Sequence, residues 1–228
     1  MKYDAIFFDL DGTVVDSLQD IVDAVNHTMR HFNLPERTTD DLVPHLGWGV
    51  GNLIRTILPG LSEARTEEIL AHYRAYYALH AGDRSRPFDG ILPMMARLKA
   101  EGLPLAILSN KPDAAVQPLV ERYFSGLVSL AVGELEGVRR KPHPDMVEAA
   151  ARQLKVPLSR CLYVGDTEVD IDTAKNAGID CACVTWGFRT RDQLRRAGAT
   201  VIVDTPEELE AVIWWLELSA SSVLPTTQ

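Results

Sequence analysis

The chain has 228 residues, 46% hydrophobic and 24% charged, with a formal net charge of -9, which fits a globular protein built as one large domain or as a core with an insert. The acidity argues against a nucleic-acid partner, because phosphate backbones demand clustered Lys and Arg. No basic leader and no apolar run long enough to span a bilayer is present, so no membrane contact and a cytoplasmic location are expected.

An anionic ligand must then find a locally positive site, built from a metal, a lysine or helix N-termini. Cys161, Cys181 and Cys183 lie in apolar, strand-like runs without C-x-x-C spacing. They read as buried thiols.

The apolar run from Ala5 to Phe8 ends in Asp9-Leu10-Asp11-Gly12-Thr13, and residues 3 to 9 read as the first strand. Two acids at i and i+2 on a strand share a face, so a turn at Gly12 brings both into one small volume. From Leu18 to Phe32 the apolar residues recur at three and four, a helical face that Asp16 or Ser17 can cap. A short helix at Thr38 to Leu42, a glycine-rich turn at 47 to 51, a helix from Asn52 to Leu58 and a long helix from Ser62 to about His80 follow. No strand is expected between Asp16 and Pro87.

Alternation then begins. Helices are expected at Ile91 to Glu101, Asp113 to Phe124, Asp145 to Leu154 and Asp170 to Ala177. The strands are Leu103 to Leu108, Leu127 to Val132, Cys161 to Val164, Cys181 to Thr185 and Val201 to Val203. Apolar strands alternating with helices predict an α/β fold with a doubly wound parallel, Rossmann-like sheet. Residues 1–15 and 88–218 form the expected core, 16–87 an inserted all-helical cap, and 219–228 a fraying tail.

In such a sheet, ligands bind at the carboxyl ends of strands where the strand order reverses. Asp9 with Asp11, Ser109-Asn110 and Asp166 with Asp170 stand at three such ends, and Lys141 in a crossover. Each alone reads as a turn, a helix cap or a solvated charge. Together, the carboxylates make a hard oxygen site suited to Mg²⁺, while Ser109, neighbouring N–H groups and Lys141 suit a phosphoryl group.

These segments, in this order, resemble the four motifs of the haloacid dehalogenase superfamily, and the helical insert resembles its C1-type cap. Asp83 to Gly90, Ser109-Asn110-Lys111-Pro112 and Thr185-Trp186-Gly187-Phe188 are similar to its phosphoglycolate phosphatase branch. The resemblance implies a Mg²⁺-dependent phosphatase of a small phosphate ester. Asp9 would be the nucleophile that forms an aspartyl-phosphate, and Asp11 the general acid and base. The metal would be held by Asp9, the Asp11 carbonyl and Asp166, with Asp170 in support. Ser109, Asn110 and Lys141 would bind phosphate.

The lysine-free stretch 16–86 excludes the phosphonate-cleaving relatives, which use a cap lysine, and weakens a sugar phosphomutase reading. A pyrophosphatase and a phospho-accepting receiver domain remain as alternatives; the acid pair and the insert speak against the receiver. In the cap, Gly49 and Gly51 ahead of a helix, with Arg55 one turn in, are candidates to receive a small carboxylate. An equal reading makes those glycines a tight turn. Trp48 is either packing or lid. The cap histidines show no metal-ligand spacing, and monomer and dimer are equally open.

Overall fold

The computed structural model describes residues 2–214, so the expected tail at 219–228 lies outside the described residues. Among the described residues, six strands form one parallel sheet: β1 (Ala5–Phe8), β4 (Leu105–Pro112), β5 (Leu130–Glu134), β6 (Cys161–Gly165), β7 (Asp180–Val184) and β8 (Val201–Val203). Their spatial order is β5-β4-β1-β6-β7-β8. The chain therefore builds outward from β1 in one direction, then returns to build in the other, which puts the reversal of strand order beside β1.

Side chains alternate across the sheet with the period of two that strands impose. Ile6 and Phe8 join Leu105, Ile107, Leu162 and Val164 in one apolar layer, covered by α5 (Ile91–Ala100), α6 (Asp113–Phe124) and α10 (Pro206–Trp214). Ala5 and Phe7 point the other way, with Ala106, Leu108 and Tyr163, against α7 (Asp145–Leu154) and α8 (Glu168–Ala177). Burial on both faces explains why these strands read as unbroken apolar runs.

Between β1 and β4 the chain leaves the sheet through β2 (Val15–Asp16) and returns through β3 (Arg86–Pro87), which pair antiparallel. This two-residue ribbon joins the core to α1 (Leu18–His31), α2 (Thr39–Leu42), α3 (Val50–Ile57) and α4 (Glu63–His80). The four helices close over their own apolar cluster, which includes Val25, Met29, Leu53, Ile54, Ile69 and Tyr73. Among the described residues no helix is long and apolar enough to cross a membrane.

Several boundaries differ from the sequence expectation, each for a local reason. β5 starts at Leu130 because the amides of Leu127 and Val128 remain bound to the Phe124 carbonyl at the end of α6. β4 begins after Pro104 and carries on past Leu108, through the polar Ser109-Asn110-Lys111. The helix expected from Asp170 starts at Glu168, with Asp170 three residues inside its cap at Thr167. The helix expected from Asn52 starts at Val50, capped by Gly49 in a positive-φ conformation. Ser17 stands at the N-cap of α1 but gives that helix no side-chain bond, since its hydroxyl donates to Asp11 at 2.6 Å. The sequence pattern marks no helix at α9 (Arg191–Arg196), where four of six residues are charged and Leu194 is the buried one, nor at α10.

The base of the insert is fastened by a side chain that no motif marks. Asp20, 4% exposed, accepts from the amides of Arg84 (3.0 Å) and Ser85 (2.8 Å) and from the Ser85 hydroxyl (2.6 Å). The Ser85 carbonyl in turn accepts from Tyr123 on α6. Removing the carboxylate strands two buried donors, at about 1–3 kcal/mol each. Asp20→Ala is expected to lower Tm and to expose the bond after Arg84 to trypsin, read by limited proteolysis with mass mapping. An unchanged cleavage rate would show that the ribbon holds without Asp20.

Candidate active site

Asp9 follows Phe8 directly, and Phe8 is level with Ile107 on β4 and Val164 on β6. The register thus fixes Asp9 between the ends of two neighbouring strands, where its amide donates to the Val164 carbonyl. Its carboxylate is 2.9 Å from Lys141 Nζ and accepts from the Leu10 amide at 2.7 Å. Lys141 arrives on the crossover before α7, ahead of a cis bond to Pro142, and its ammonium is fully enclosed. It also lies 2.8 Å from Asp170 and 3.0 Å from the Tyr163 hydroxyl.

Asp170 is saturated. Its second oxygen accepts from the amides of Asp166 and Thr167 and from the Thr167 hydroxyl. Asp166, wholly buried, takes the Thr13 hydroxyl at 2.9 Å and the Phe188 amide at 2.7 Å, both neutral donors. The chain can approach it this closely only because Gly12 lacks a side chain: a Cβ there would lie 2.4 Å from the carboxylate, at a φ of +82°. Only glycine takes that conformation without penalty.

Asp9, Asp166 and Asp170 offer oxygens that all lie within 4.8 Å of one another. Three buried carboxylates against one ammonium leave excess negative charge, and the donor set is entirely oxygen. That chemistry fits a hard dication. With no cation counted, burial pushes Asp9 up to about 7, against the pull of Lys141 and with added repulsion from Asp170. Burial, then repulsion from Asp170 and Asp9, holds Asp166 well above the usual carboxylate range. Burial by itself would lower Lys141, but attraction from Asp170 and Asp9 more than reverses that and holds it charged.

Asp11 faces away from this triad. Besides Ser17, it accepts from Lys111 Nζ at 2.8 Å, and Lys111 is hydrogen-bonded to the Tyr77 hydroxyl of α4. The Asn110 carboxamide holds Lys141 through both backbone groups, accepting its amide at 2.9 Å and donating to its carbonyl at 3.0 Å. It donates also to the Gly47 carbonyl of the insert. Ser109 lies beside Asp9 and Asp11 along a cavity of about 60 Å³, closed from the insert side by Leu46, Leu53, Tyr73 and Tyr77.

The expected site residues of the core thus converge, while the insert candidates divide. Gly49 lines the cavity. Gly51 and Arg55 are absent from its lining: Arg55 donates to the Gly51 carbonyl and pairs with Glu63 at 2.5 Å and Glu67 at 3.1 Å, half-exposed on the outside of the insert. What holds the glycine turn is a core residue that sequence reasoning missed. Arg189, 5% exposed, donates to the carbonyls of Val43, Pro44 and Leu46 and pairs with Glu168 at 2.8 Å. Glu168 also accepts from Trp48, so Trp48 anchors the turn to the core. Lys111 was missed too, although it sits next to Ser109-Asn110; a lysine in the polar end of a buried strand is the signal that could have found it.

The raised carboxylates carry a stability signature. Asp9 and Asp166 bind protons more tightly folded than unfolded, where the value is near 3.8. Between about pH 4 and 7 the folded protein therefore holds more protons, and their contribution to stability is lost as pH rises. Metal-free Asp166→Asn is expected to melt above the metal-free parent at pH 7.5, by about 2–4 °C per kcal/mol relieved, and to lose the stabilisation that added Mg²⁺ gives the parent. Differential scanning calorimetry with and without chelator checks this; an Asn variant less stable than the parent would contradict it.

Comparison with known proteins agrees with this geometry. The family model for haloacid dehalogenase-like hydrolases matches residues 3–178. A phosphoglycolate phosphatase of Colwellia psychrerythraea is 33% identical, over 90% of this chain and 95% of its own. An N-acetylmuramic acid 6-phosphate phosphatase of Pseudomonas aeruginosa is 30% identical, over 93% and 96%. A solved structure from Lactobacillus delbrueckii subsp. bulgaricus, provisionally named a phosphoglycolate phosphatase, superposes with a TM-score of 0.89 at 38% identity, over 93% and 99%. With a family match across most of its length and relatives above 30% identity over nearly all of it, the chain belongs to the haloacid dehalogenase-like hydrolases.

Proposed function

We propose that the chain hydrolyses a small phosphomonoester, 2-phosphoglycolate in preference to others, through an aspartyl-phosphate on Asp9. The observation that carries this reading is that the two acids of one strand end line the same cavity with different partners. Asp9 sits against Lys141 within the carboxylate triad; Asp11 lies outside that triad, bonded to Ser17 and to Lys111, which in turn meets Tyr77 of the insert. One is suited to meet phosphorus, the other to meet a leaving group.

In the first step an Asp9 oxygen bonds to phosphorus as the ester P–O bond breaks, and Asp11 gives its proton to the departing alcohol oxygen. In the second, Asp11 takes a proton from water, whose oxygen bonds to phosphorus and releases phosphate and a free Asp9. The ammonium of Lys141 and the hydroxyl of Ser109 spread the charge of the transferring group, held in place by Asn110 and Asp170. Asp9, the Asp11 carbonyl and Asp166 would hold a Mg²⁺ ion, which would screen the repulsion between carboxylate and phosphate. The roughly 60 Å³ cavity supports a small leaving group. Two relatives named for different esters make the substrate the point to test.

Asp9→Asn is expected to abolish phosphate release, by on the order of 10⁴-fold or more, and Asp11→Asn to slow it by about 10²–10⁴-fold. Steady-state phosphate release from an aryl phosphate with Mg²⁺ reads both; turnover surviving in Asp9→Asn would remove the nucleophile. A second panel ranks 2-phosphoglycolate, N-acetylmuramic acid 6-phosphate, glucose 6-phosphate and pyrophosphate by kcat/KM. Phosphoglycolate is expected first, and any other order overturns the substrate while leaving the mechanism standing.

A further inference from the structure

We infer that Lys111, with Tyr77, forms an anion subsite in the cavity, and that it receives the carboxylate of the substrate's leaving group. The inference rests on the phosphatase reading above and assigns the part of the substrate that the phosphate machinery does not hold.

The need for such a subsite comes from charge. The protein is acidic overall, its insert contains no lysine, and the cavity already holds Asp9 and Asp11. A substrate that carries a carboxylate beside its phosphate would be repelled without a fixed cation. Lys141 belongs to the phosphoryl end of the substrate, its ammonium standing against Asp9 and Asp170. Arg55 faces outward into Glu63 and Glu67. Among the described residues lining the cavity, Lys111 carries the only ammonium or guanidinium group.

Its placement is specific. The Lys111 side chain is 2% exposed, which is rare for lysine and requires paired partners. The ammonium lies 4.5 Å from the centre of the Tyr77 ring and is bonded to that hydroxyl, so core and insert grip it from opposite sides. Its carboxylate contact is Asp11, at 2.8 Å. That distance matters for a two-carbon leaving group. Asp11 must reach the ester oxygen, and the carboxylate oxygens of glycolate stand only roughly 3 Å from that oxygen by ordinary bond lengths. A donor one hydrogen bond beyond Asp11 is therefore where the substrate carboxylate arrives. Tyr73 and Tyr77, both buried, leave this end of the cavity little room for a longer chain.

The subsite predicts discrimination by charge. The test compares kcat/KM for 2-phosphoglycolate with that for ethyl phosphate, of similar size but without the carboxylate, in the parent, Lys111→Met and Lys111→Arg. A charged contact of this kind is worth about 10- to 100-fold. Lys111→Met is expected to reduce the phosphoglycolate to ethyl phosphate ratio by that factor, mostly through KM, and Lys111→Arg to recover part of it. Circular dichroism and Tm identify a variant that has failed to fold; in that case the parent's inhibition by glycolate against ethanol supplies the ratio, and equal weak inhibition by both overturns the subsite. Equal losses on both esters in a folded Lys111→Met would make Lys111 a positioning residue for Asp11 and overturn the inference. His45, just ahead of the glycine turn, also lines the cavity; loss of the ratio in His45→Gln but not in Lys111→Met would overturn the inference as well, moving the subsite to that turn. A parent that hydrolyses neither ester would instead defeat the phosphatase reading, a different result from all of these.

Discussion

Everything in this site depends on one buried ammonium. Lys141 stands between Asp9 and Asp170 with its charge fully enclosed, and its contacts are at 2.9 and 2.8 Å. Without it, Asp9, Asp166 and Asp170 would be three carboxylates packed together out of water, an arrangement that survives only by taking up protons or a cation. The fold invests in holding that lysine. Asn110 binds both its backbone groups, Tyr163 takes its ammonium while anchored on the Leu108 carbonyl, and Asp170 is fixed by three donors of its own helix start. Even so, the balance is incomplete, and Asp166 is left with neutral partners. The all-oxygen donor set of Asp9, Asp166 and Asp170 could hold a cation that would complete this balance.

The same frame explains how the two acids at the end of β1 differ though they are two residues apart. The sheet owns Asp9; the insert shares Asp11. Ser17 at the entry to α1, Lys111 from β4 and Tyr77 from α4 all meet at or beside Asp11. Closure of the insert on the core is thus registered at the group proposed to handle the leaving-group proton. Arg189 and Glu168 fasten the glycine turn, and Asp20 fastens the ribbon at the other end. These contacts hold the insert against the core on both sides of the cavity.

Much of this was legible in the sequence, and the reason is physical. Buried parallel strands need unbroken apolar runs, so a polar residue at the end of such a run stands out, as Asp9, Ser109 and Asp166 do. The superfamily resemblance then linked them, and the strand order brings them together. What could not be read were contacts set by packing between distant segments. Asp20 meets Ser85, Arg189 meets Leu46, and Lys111 meets Tyr77 with no spacing rule to announce them. Arg55 shows the opposite case: its position after a glycine turn suggested a ligand, but acids on the neighbouring α4 lie nearer than the cavity.

If Asp9 is the nucleophile, it becomes phosphorylated during turnover, and the phosphoryl group can be trapped there. The Mg²⁺-loaded enzyme, quenched during turnover of 2-phosphoglycolate and reduced with borohydride, is digested and its peptides sequenced by mass spectrometry. Homoserine is expected at position 9 in the sample with substrate and unmodified Asp9 in the sample without. Reduction at Asp11 or Asp166 instead, or none during demonstrated turnover, would contradict Asp9 as the nucleophile.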